Sequence, residues 1–483
     1  MARARKIGTA RAQAHEFFPD FLAQREKTKL LDKWVRGAQD DSLYVPKHYN
    51  TNDEYTDLAD RSPTPWLGLG ITSVAQTCYV NGVRRRGSTD MMQVYDTWQQ
   101  NRWDSRQNAV YRAAMGHGIS YASALPGKIP LTGESSAVMR GYSALSTVGW
   151  YAEVDDEWPM FIIHAVEGRD ENNQPGWDVE LYDEVAGYRF WVDGDGENIE
   201  DWHARQDEDH NLGVTPFVRY DNQTDLEGRH TSEIEPFIPL AKRIDQDTFD
   251  RLIVQRFGAW KIRFITGLQR PKGMSETQYQ QDVMKLKIND FLVLGNAEAK
   301  VGAIPETQMD GFIKGRDADL RDLSAVLQVP PYMFLGLSAN MQAESLAAAR
   351  SALMAKSAER KVTWGESHEQ LLRLTAKIRG NREEMTAYDM EVKWADTEVR
   401  PLIQAAQALG NLASQVGVPL EMLWSMIPGW GDSDVERAKQ LVESQGMDAL
   451  LGEFAKQMAG AAQTDSAAPT TSSVPRGQVT KVP

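Results

Sequence analysis

The residues with the best claim to chemistry lie near the middle of the chain. Asp193, Gly194, Asp195, Gly196 and Glu197 alternate carboxylates with glycines, a pattern that could wrap oxygen ligands around calcium. The sixth position is Asn198 where an EF-hand loop needs glycine, and no helix pair is expected around it, so the expectation is a hairpin turn. His203 and His210 lie near Asp207 and Asp209, but with no cysteine partner and no histidine at helical spacing they are expected as polar surface, not metal ligands. Gly127 and Lys128 continue to Ile129 instead of Ser or Thr, so the loop that cradles phosphate in nucleotide hydrolases is missing. The other histidines are scattered and give no Ser/His/Asp grouping. No catalytic residue, metal or cofactor is therefore assigned, and the chain is not expected to be an enzyme.

What remains is binding. Lys314, Arg316 and Arg321 sit at helical spacing and are candidates for touching backbone phosphate; the alternative is ordinary surface charge paired with Asp310, Asp317 and Asp322. From Pro236 to Val329 the chain holds 14 basic and 12 acidic residues. That balance argues against a tight grip on nucleic acid, which needs clustered cations to displace counterions.

The elements that must carry these residues are legible from periodicity. Ser232 and Glu235 have capping-box spacing, and Pro236 and Pro239 fit only a first turn. Ile244, Leu252, Ile253, Phe257 and Trp260 then recur at three and four, so a helix should run from about Leu240 to Trp260 with one apolar stripe. A strand is expected at Ile262 to Ile265, then a mixed insert with a helix at Ser275 to Leu286 and a strand at Asp290 to Leu294. A second helix, Phe312 to Val329, carries Leu320, Leu323 and Leu327 and must end at Pro330 and Pro331. The following loop holds Phe334, Leu335, Gly336, Leu337, Ser338, Ala339 and Asn340. Beyond it a helix from about Gln342 to Gly380 would be on the order of 55 Å long, more than one small core covers.

A length of 483 residues with 41% hydrophobic residues permits two to four folded domains. The single cysteine, Cys78, excludes an intramolecular disulfide and suits a reducing cytoplasm. No signal peptide and no apolar run of about 18 residues is present, so no membrane partner is expected. The net charge of -15 is local: Tyr151 to Glu235 hold 5 basic against 24 acidic residues. Either this is a solvent-facing β domain or a surface that repels nucleic acid. Strands are expected at Cys78 to Val80, Ser120 to Leu125, Phe161 to Val166, Val179 to Tyr182, Tyr188 to Val192 and Phe217 to Tyr220, with one or two more in Met385 to Trp394. Arg84, Arg85 and Arg86 read as a hairpin end, and Met91 to Met115 as one helix. The basic amino end reads as a tail followed by a helix through Phe18, Phe21, Leu31 and Trp34; residues after Ala461 read as disordered.

Several stretches resemble a known family. Gly228, Arg229, Ser232, Glu233 and Ile234, then Asp250, Arg251 and Leu252, then Ile265, Thr266 and Gly267, are similar in order and type to tailed-phage portal proteins, in particular those of phages infecting actinobacteria. His210, Leu212, Gly213, Pro216, Phe217 and Val218 agree, as do Pro331 to Gly336 with Ser345 and Ala347 to Ala349. The resemblance spans roughly Lys29 to Ala455. It implies an α+β portal fold: a basic tail at 1–28, a mixed α/β wing at 29–235, a two-helix stem at 236–266 and 312–329, a small α/β clip at 267–311, a tunnel loop at 330–341, a long wing helix with its return at 342–397, a helical crown at 398–460 and a tail at 461–483.

The function so implied is structural. A ring, usually of twelve subunits, occupies one capsid vertex of the virion, is assembled in the host cytoplasm, and conducts double-stranded DNA in packaging and ejection. The partners implied are the terminase large subunit, then a neck or head-tail adaptor protein, with the major capsid protein and scaffold alongside. Residues 334–340 would face DNA, although Phe334, Leu335 and Leu337 have the alternative of packing beneath the long helix. Ile244, Leu252, Ile253, Phe257, Trp260, Leu320, Leu323 and Leu327 would pack one stem on the next. The competing readings are a capsid-associated scaffold protein and a metal-dependent DNA enzyme.

Overall fold

The computed structural model describes residues 6–39, 43, 53–88, 90–129, 133–223, 225–258, 263–266, 275, 300–303, 309–336, 343–395, 402–424, 426–427, 430 and 432–445. In chain order the described elements are α1 Ile7–Arg36, α2 Asp53–Asp60, α3 Trp66–Ala75, β1 Val80–Arg85, α4 Val94–Gln100, α5 Trp103–His117, β2 Ile119–Lys128, β3 Ser135–Ser143, β4 Thr147–Trp150, β5 Phe161–Arg169, β6 Pro175–Tyr182, β7 Ala186–Asp193, β8 Trp202–Asp209 and β9 Phe217–Asp221. They continue with α6 Ile238–Gly258, β10 Arg263–Thr266, β11 Lys300–Ala303, α7 Asp310–Val326, α8 Pro331–Leu335, α9 Ala343–Arg379, α10 Arg382–Met385, β12 Met390–Trp394, α11 Leu402–Asn411, α12 Leu420–Trp424 and α13 Asp432–Gln445. The class is α+β, as expected. All pairings are antiparallel: β3-β2-β9, β4-β5-β6-β7-β8, β1-β12 and β10-β11.

The five-stranded sheet has alternating faces because strand side chains point to opposite sides in turn. Phe161, Ile163 and Ala165, with Trp177, Val179 and Leu181 and with Tyr188, Phe190 and Val192, form one buried face. The amino-terminal half of α1 covers it through Ala10, Ala14, Phe18 and Phe21, with the Phe18 ring edge-on to Trp202 at 5.1 Å. The basic tail expected over 1–28 is thus helix from Ile7 onward. Its small and aromatic residues form a stripe that four early cations obscure, and Arg11 donates to the Trp202 carbonyl while Arg25 pairs with Glu167. The carboxyl half of α1 instead enters the main core through Leu31 and Trp34.

That main core gathers α3, α4, α5, α7 and the long helix α9 about β1, β2, β9 and β12. At its centre the His368 imidazole is fully buried between Tyr111, 2.6 Å from Nε2, and Tyr220, 2.8 Å from Nδ1. Tyr111 donates its hydroxyl proton to Gln107, which leaves it accepting from Nε2–H, so Nδ1 accepts from Tyr220. Burial pushes His368 down to about 3, and the ring stays neutral.

A second buried group ties three distant segments together. Glu233, just ahead of α6, accepts from Lys356 and from Arg360 at 3.0 Å, both on α9; Lys356 also donates to the Leu327 carbonyl at the end of α7, 2.6 Å away, and Arg360 to Asn222 at 3.0 Å. Burial pushes the Glu233 carboxyl up, but the two cations outweigh it and hold it below the ordinary glutamate value. The capping box expected here is not formed. Ser232 Oγ donates to the Gly116 carbonyl at 2.7 Å, Glu235 pairs with Lys27, and a 3₁₀ turn over Glu235–Phe237 leads into α6.

Three further expectations are corrected. The helix drawn over Met91–Met115 is two, because Arg102 takes a left-handed conformation at φ 53° and lets Asp104 accept from the Trp98 indole at 2.7 Å. Arg84 and Arg85 do not follow a turn at Asn81 and Gly82, although the chain turns back after them and Arg84 bridges Met91. They lie on β1, whose partner is the distant β12, and pair with Glu391, Glu383 and Asp389. The return to β12 begins as the short helix α10, capped by Asn381, before the strand starts at Met390. The helix expected at Ser275 to Leu286 and the strand at Asp290 to Leu294 lie outside the described residues, save Ser275 itself.

Residues 396–483 form a separate unit. In it α11 passes into a π-helical turn that stops at Gly417 (φ 73°), and Trp424 and Ala438 pack with Ile427, Trp430, Val435 and Val442.

Two outcomes follow. Glu233→Gln leaves two buried cations without a counterion and should lower unfolding free energy in urea by about 3–5 kcal/mol. The unfolded chain protonates His368 at the ordinary value of 6.5, which the folded chain refuses until about 3. Stability should therefore fall as pH drops through that window, by about 1.4 kcal/mol per unit. Urea titrations of wild type and His368→Gln compared at pH 7, 6 and 5 isolate this slope from carboxyls such as Glu369, which burial pushes up to about 7.

Candidate functional site

The region singled out by the sequence is built on two antiparallel rods. α6 runs out from the core and α7 returns to it, and at their far end β10 pairs with β11 with Phe264 opposite Gly302. Pro330 and Pro331 stop the return as expected; Gln328 turns left-handed at φ 55° and the Val329 amide donates to the Ser324 carbonyl. The rods are clasped side to side. Arg243 donates twice to Asp319, at 2.8 and 2.6 Å, with Asp322 at 3.7 Å. Burial raises the Asp247 carboxyl beside this clasp, and Asp319 and Asp250 raise it further. The base of α6 is fixed by Asp245, which accepts from the Gln39 side chain at 2.8 Å.

Burial falls along the rods. Ile244, Leu320, Leu323 and Leu327 lie fully inside this chain's own core, so their own subunit covers them, not a neighbour. Leu252 and Ile253 are only half-buried, as is Val254, and Ile313 and Val326 are 41% and 45% exposed. Phe257 closes α6 with its side chain outside the described residues, where Trp260 also lies. Ile313 and Val326 belong to the apolar set that the sequence places on the second helix, whereas Val254 is not singled out there because it stands off the three-and-four stripe of α6.

Of the cations, Lys314 and Arg321 are exposed, whereas Arg316 pairs with Asp317 at 3.2 Å. The segment after the prolines is not an open loop throughout. Pro331–Leu335 form α8, ended by Gly336 at φ 67°. Phe334 is buried against Trp66, ring centroids 6.0 Å apart, and is corrected from a loop tip to a core residue; Leu335 is half-buried on the same core. Gly336 is exposed, and Leu337, Ser338, Ala339 and Asn340 lie outside the described residues.

The residues weighed as metal ligands have other partners. Asp193 accepts from the Trp191 indole and contacts His203 at 2.8 Å, and Gly194 and Gly196 turn the chain at φ 61° and 73°. His210 Nε2 lies 3.0 Å from the Asp183 carbonyl. Among the described residues no group of three His, Cys, Asp or Glu side chains is placed to hold a metal ion, and no helix is long and apolar enough to cross a membrane.

Comparison with known proteins agrees with the resemblance read from the sequence. The portal protein of Mycobacterium phage D29 is 24% identical over 358 residues, 71% of each chain, and that of Mycobacterium phage L5 is 24% identical over 230 residues, 46% of each. A chain from a solved structure described as the neck of a native GTA particle computed with C12 symmetry covers 80% of this chain and 94% of its own at 12% identity, with a TM-score of 0.45, too low to equate the two folds. The family described as phage portal protein, SPP1 Gp6-like, matches residues 18–449. The chain belongs to that family of phage portal proteins.

Proposed function

We propose that twelve copies of this chain close into a ring at one capsid vertex and form the channel through which double-stranded DNA is packaged and ejected. The observation that carries this reading is the rod pair α6 and α7: clasped by Arg243 and Asp319, fixed at its base, and left with Leu252, Ile253 and Val254 half-uncovered along its outer half. An apolar flank of this kind on a projecting pair is what a heterologous ring contact buries, each face meeting a different face of its neighbour.

In this assignment residues 236–266 and 312–329 are the stem, 267–311 the clip that meets the terminase large subunit and later the neck adaptor, 29–235 and 342–397 the wing, and 398–460 the crown. The tunnel lining is drawn from Leu335, Gly336, Leu337, Ser338, Ala339 and Asn340, without Phe334, which serves the core. Of the three candidate cations Lys314 and Arg321 are exposed and could meet phosphate, whereas Arg316 is already matched by Asp317. A near-balanced stem suits a conduit, since DNA sliding past clustered cations would be held at each register. The protein's role is thus structural, as a component of the virion.

Electron microscopy of the purified chain tests the reading. Closed rings with a central hole are expected, and sheets, open shells or monomers only would overturn it. Leu252→Asp with Ile253→Asp should reduce closed rings severely while leaving the circular dichroism spectrum unchanged, because the two side chains are half-exposed within one subunit.

A further inference from the structure

The face of the five-stranded sheet that α1 does not cover opens on a cleft of about 680 Å³ between α5 and β3, lined by Arg106, Arg140, His164, Val166, Asp178 and Arg189, among others. Val166 is 48% exposed at its floor. Arg189 is neutralised by the paired Asp178 and by Glu180 at 4.0 Å. Arg106 and Arg140 have no carboxylate within ion-pair distance among the described residues, so they leave a cationic rim beside Val166 and the paired charges of the sheet.

The complementary shape lies elsewhere on the same subunit. After β9 the chain makes a turn in which the Asp225 carboxylate accepts from the amides of Glu227 at 3.1 Å and Arg229 at 2.9 Å, and Gly228 turns back at φ 75° against Val154. Leu226 stands at its tip, 97% exposed, with Val154 beside it at 42%. Asp155, Asp225 and Glu227 lie near the pair; Arg229 offsets part of that charge, and Arg219 beside Val154 is already matched by Asp221. Single exposed leucines are common on protein surfaces. This one is held on a hydrogen-bonded turn beside carboxylates, opposite in sign to the two arginines of the cleft that no carboxylate pairs among the described residues.

The two features lie at different edges of one sheet. In the sheet order β3-β2-β9 the cleft borders one edge strand and the turn follows the other. A heterologous contact joins two different surfaces on opposite sides of a subunit, and repetition then closes the circle. We infer that the Leu226 turn of one subunit seats in the cleft of the next copy, with Leu226 against Val166 and Glu227 facing Arg140. This rests on the ring reading above and names a contact between wings, separate from the stem.

Paired cysteines test it in the full-length assembled protein. Cys78 is buried and stays silent. Leu226→Cys combined with Val166→Cys, treated with a mild oxidant, should give a ladder of covalent oligomers on a non-reducing gel, while neither single variant does. Rings visible by microscopy with no ladder would overturn the inference and leave the ring reading standing; absence of rings in wild type would overturn the ring reading itself. As an independent arm, Arg140→Glu should lower ring yield several-fold and Glu227→Arg should restore it in the double variant. A ring yield indifferent to Arg140→Glu contradicts the contact.

Discussion

The buried knot of Glu233, Lys356 and Arg360 is the constraint on which the rest of the subunit depends. One carboxylate and two cations taken out of water leave an excess positive charge, and desolvation would make this costly if any lone pair or proton went unmet. The Leu327 carbonyl, at the negative end of α7, and the Asn222 side chain supply what is missing. Such a group tolerates little displacement, so it fixes the start of one rod, the end of the other and the middle of a 37-residue helix in one geometry. The rods therefore leave the core at a set angle, with Leu252, Ile253 and Val254 half-buried on their outer half.

Charge is distributed to match a conduit. The acidity of the chain is concentrated in the five-stranded sheet and its surroundings, and that sheet is held by a helix whose Arg11 and Arg25 reach its strands and turns. Cation over ring adds to this, the Arg25 guanidinium lying 4.7 Å from the centre of Trp177. The rods themselves are close to neutral. The ion pair of Arg243 with Asp319 joins helix to helix within the subunit, and Arg316 is matched by Asp317, which leaves little charge to hold a polymer.

Local signals made the helices and most strands legible. The three-and-four spacing of α6 and α7, the double proline that stops α7 and the long run of α9 are all set by neighbours in sequence, and the alternation in β5, β6 and β7 reports a two-faced sheet. Contacts across long separations left no such trace. Nothing near Arg84 announces that Glu391 will face it, and nothing near Phe334 announces Trp66, so an aromatic residue in a Gly-bounded segment read as a mobile tip. Arg102 broke a helix without glycine or proline because Asp104 has a better use for its carboxylate. Along α6 and α7, periodicity picked out apolar residues but could not divide those buried in their own subunit, such as Leu320 and Leu323, from those left half-open, such as Leu252 and Ile253.

The division just described is also the most direct point of attack. Hydrogen exchange along α6 in assembled particles, compared with the same chain held monomeric, reports where protection comes from. Protection at Leu252 to Val254 that appears only on assembly, beside equal protection around Ile244 in both forms, is the result expected if the rods present one flank to a neighbour. Identical exchange at Leu252 to Val254 in monomer and particle would contradict it.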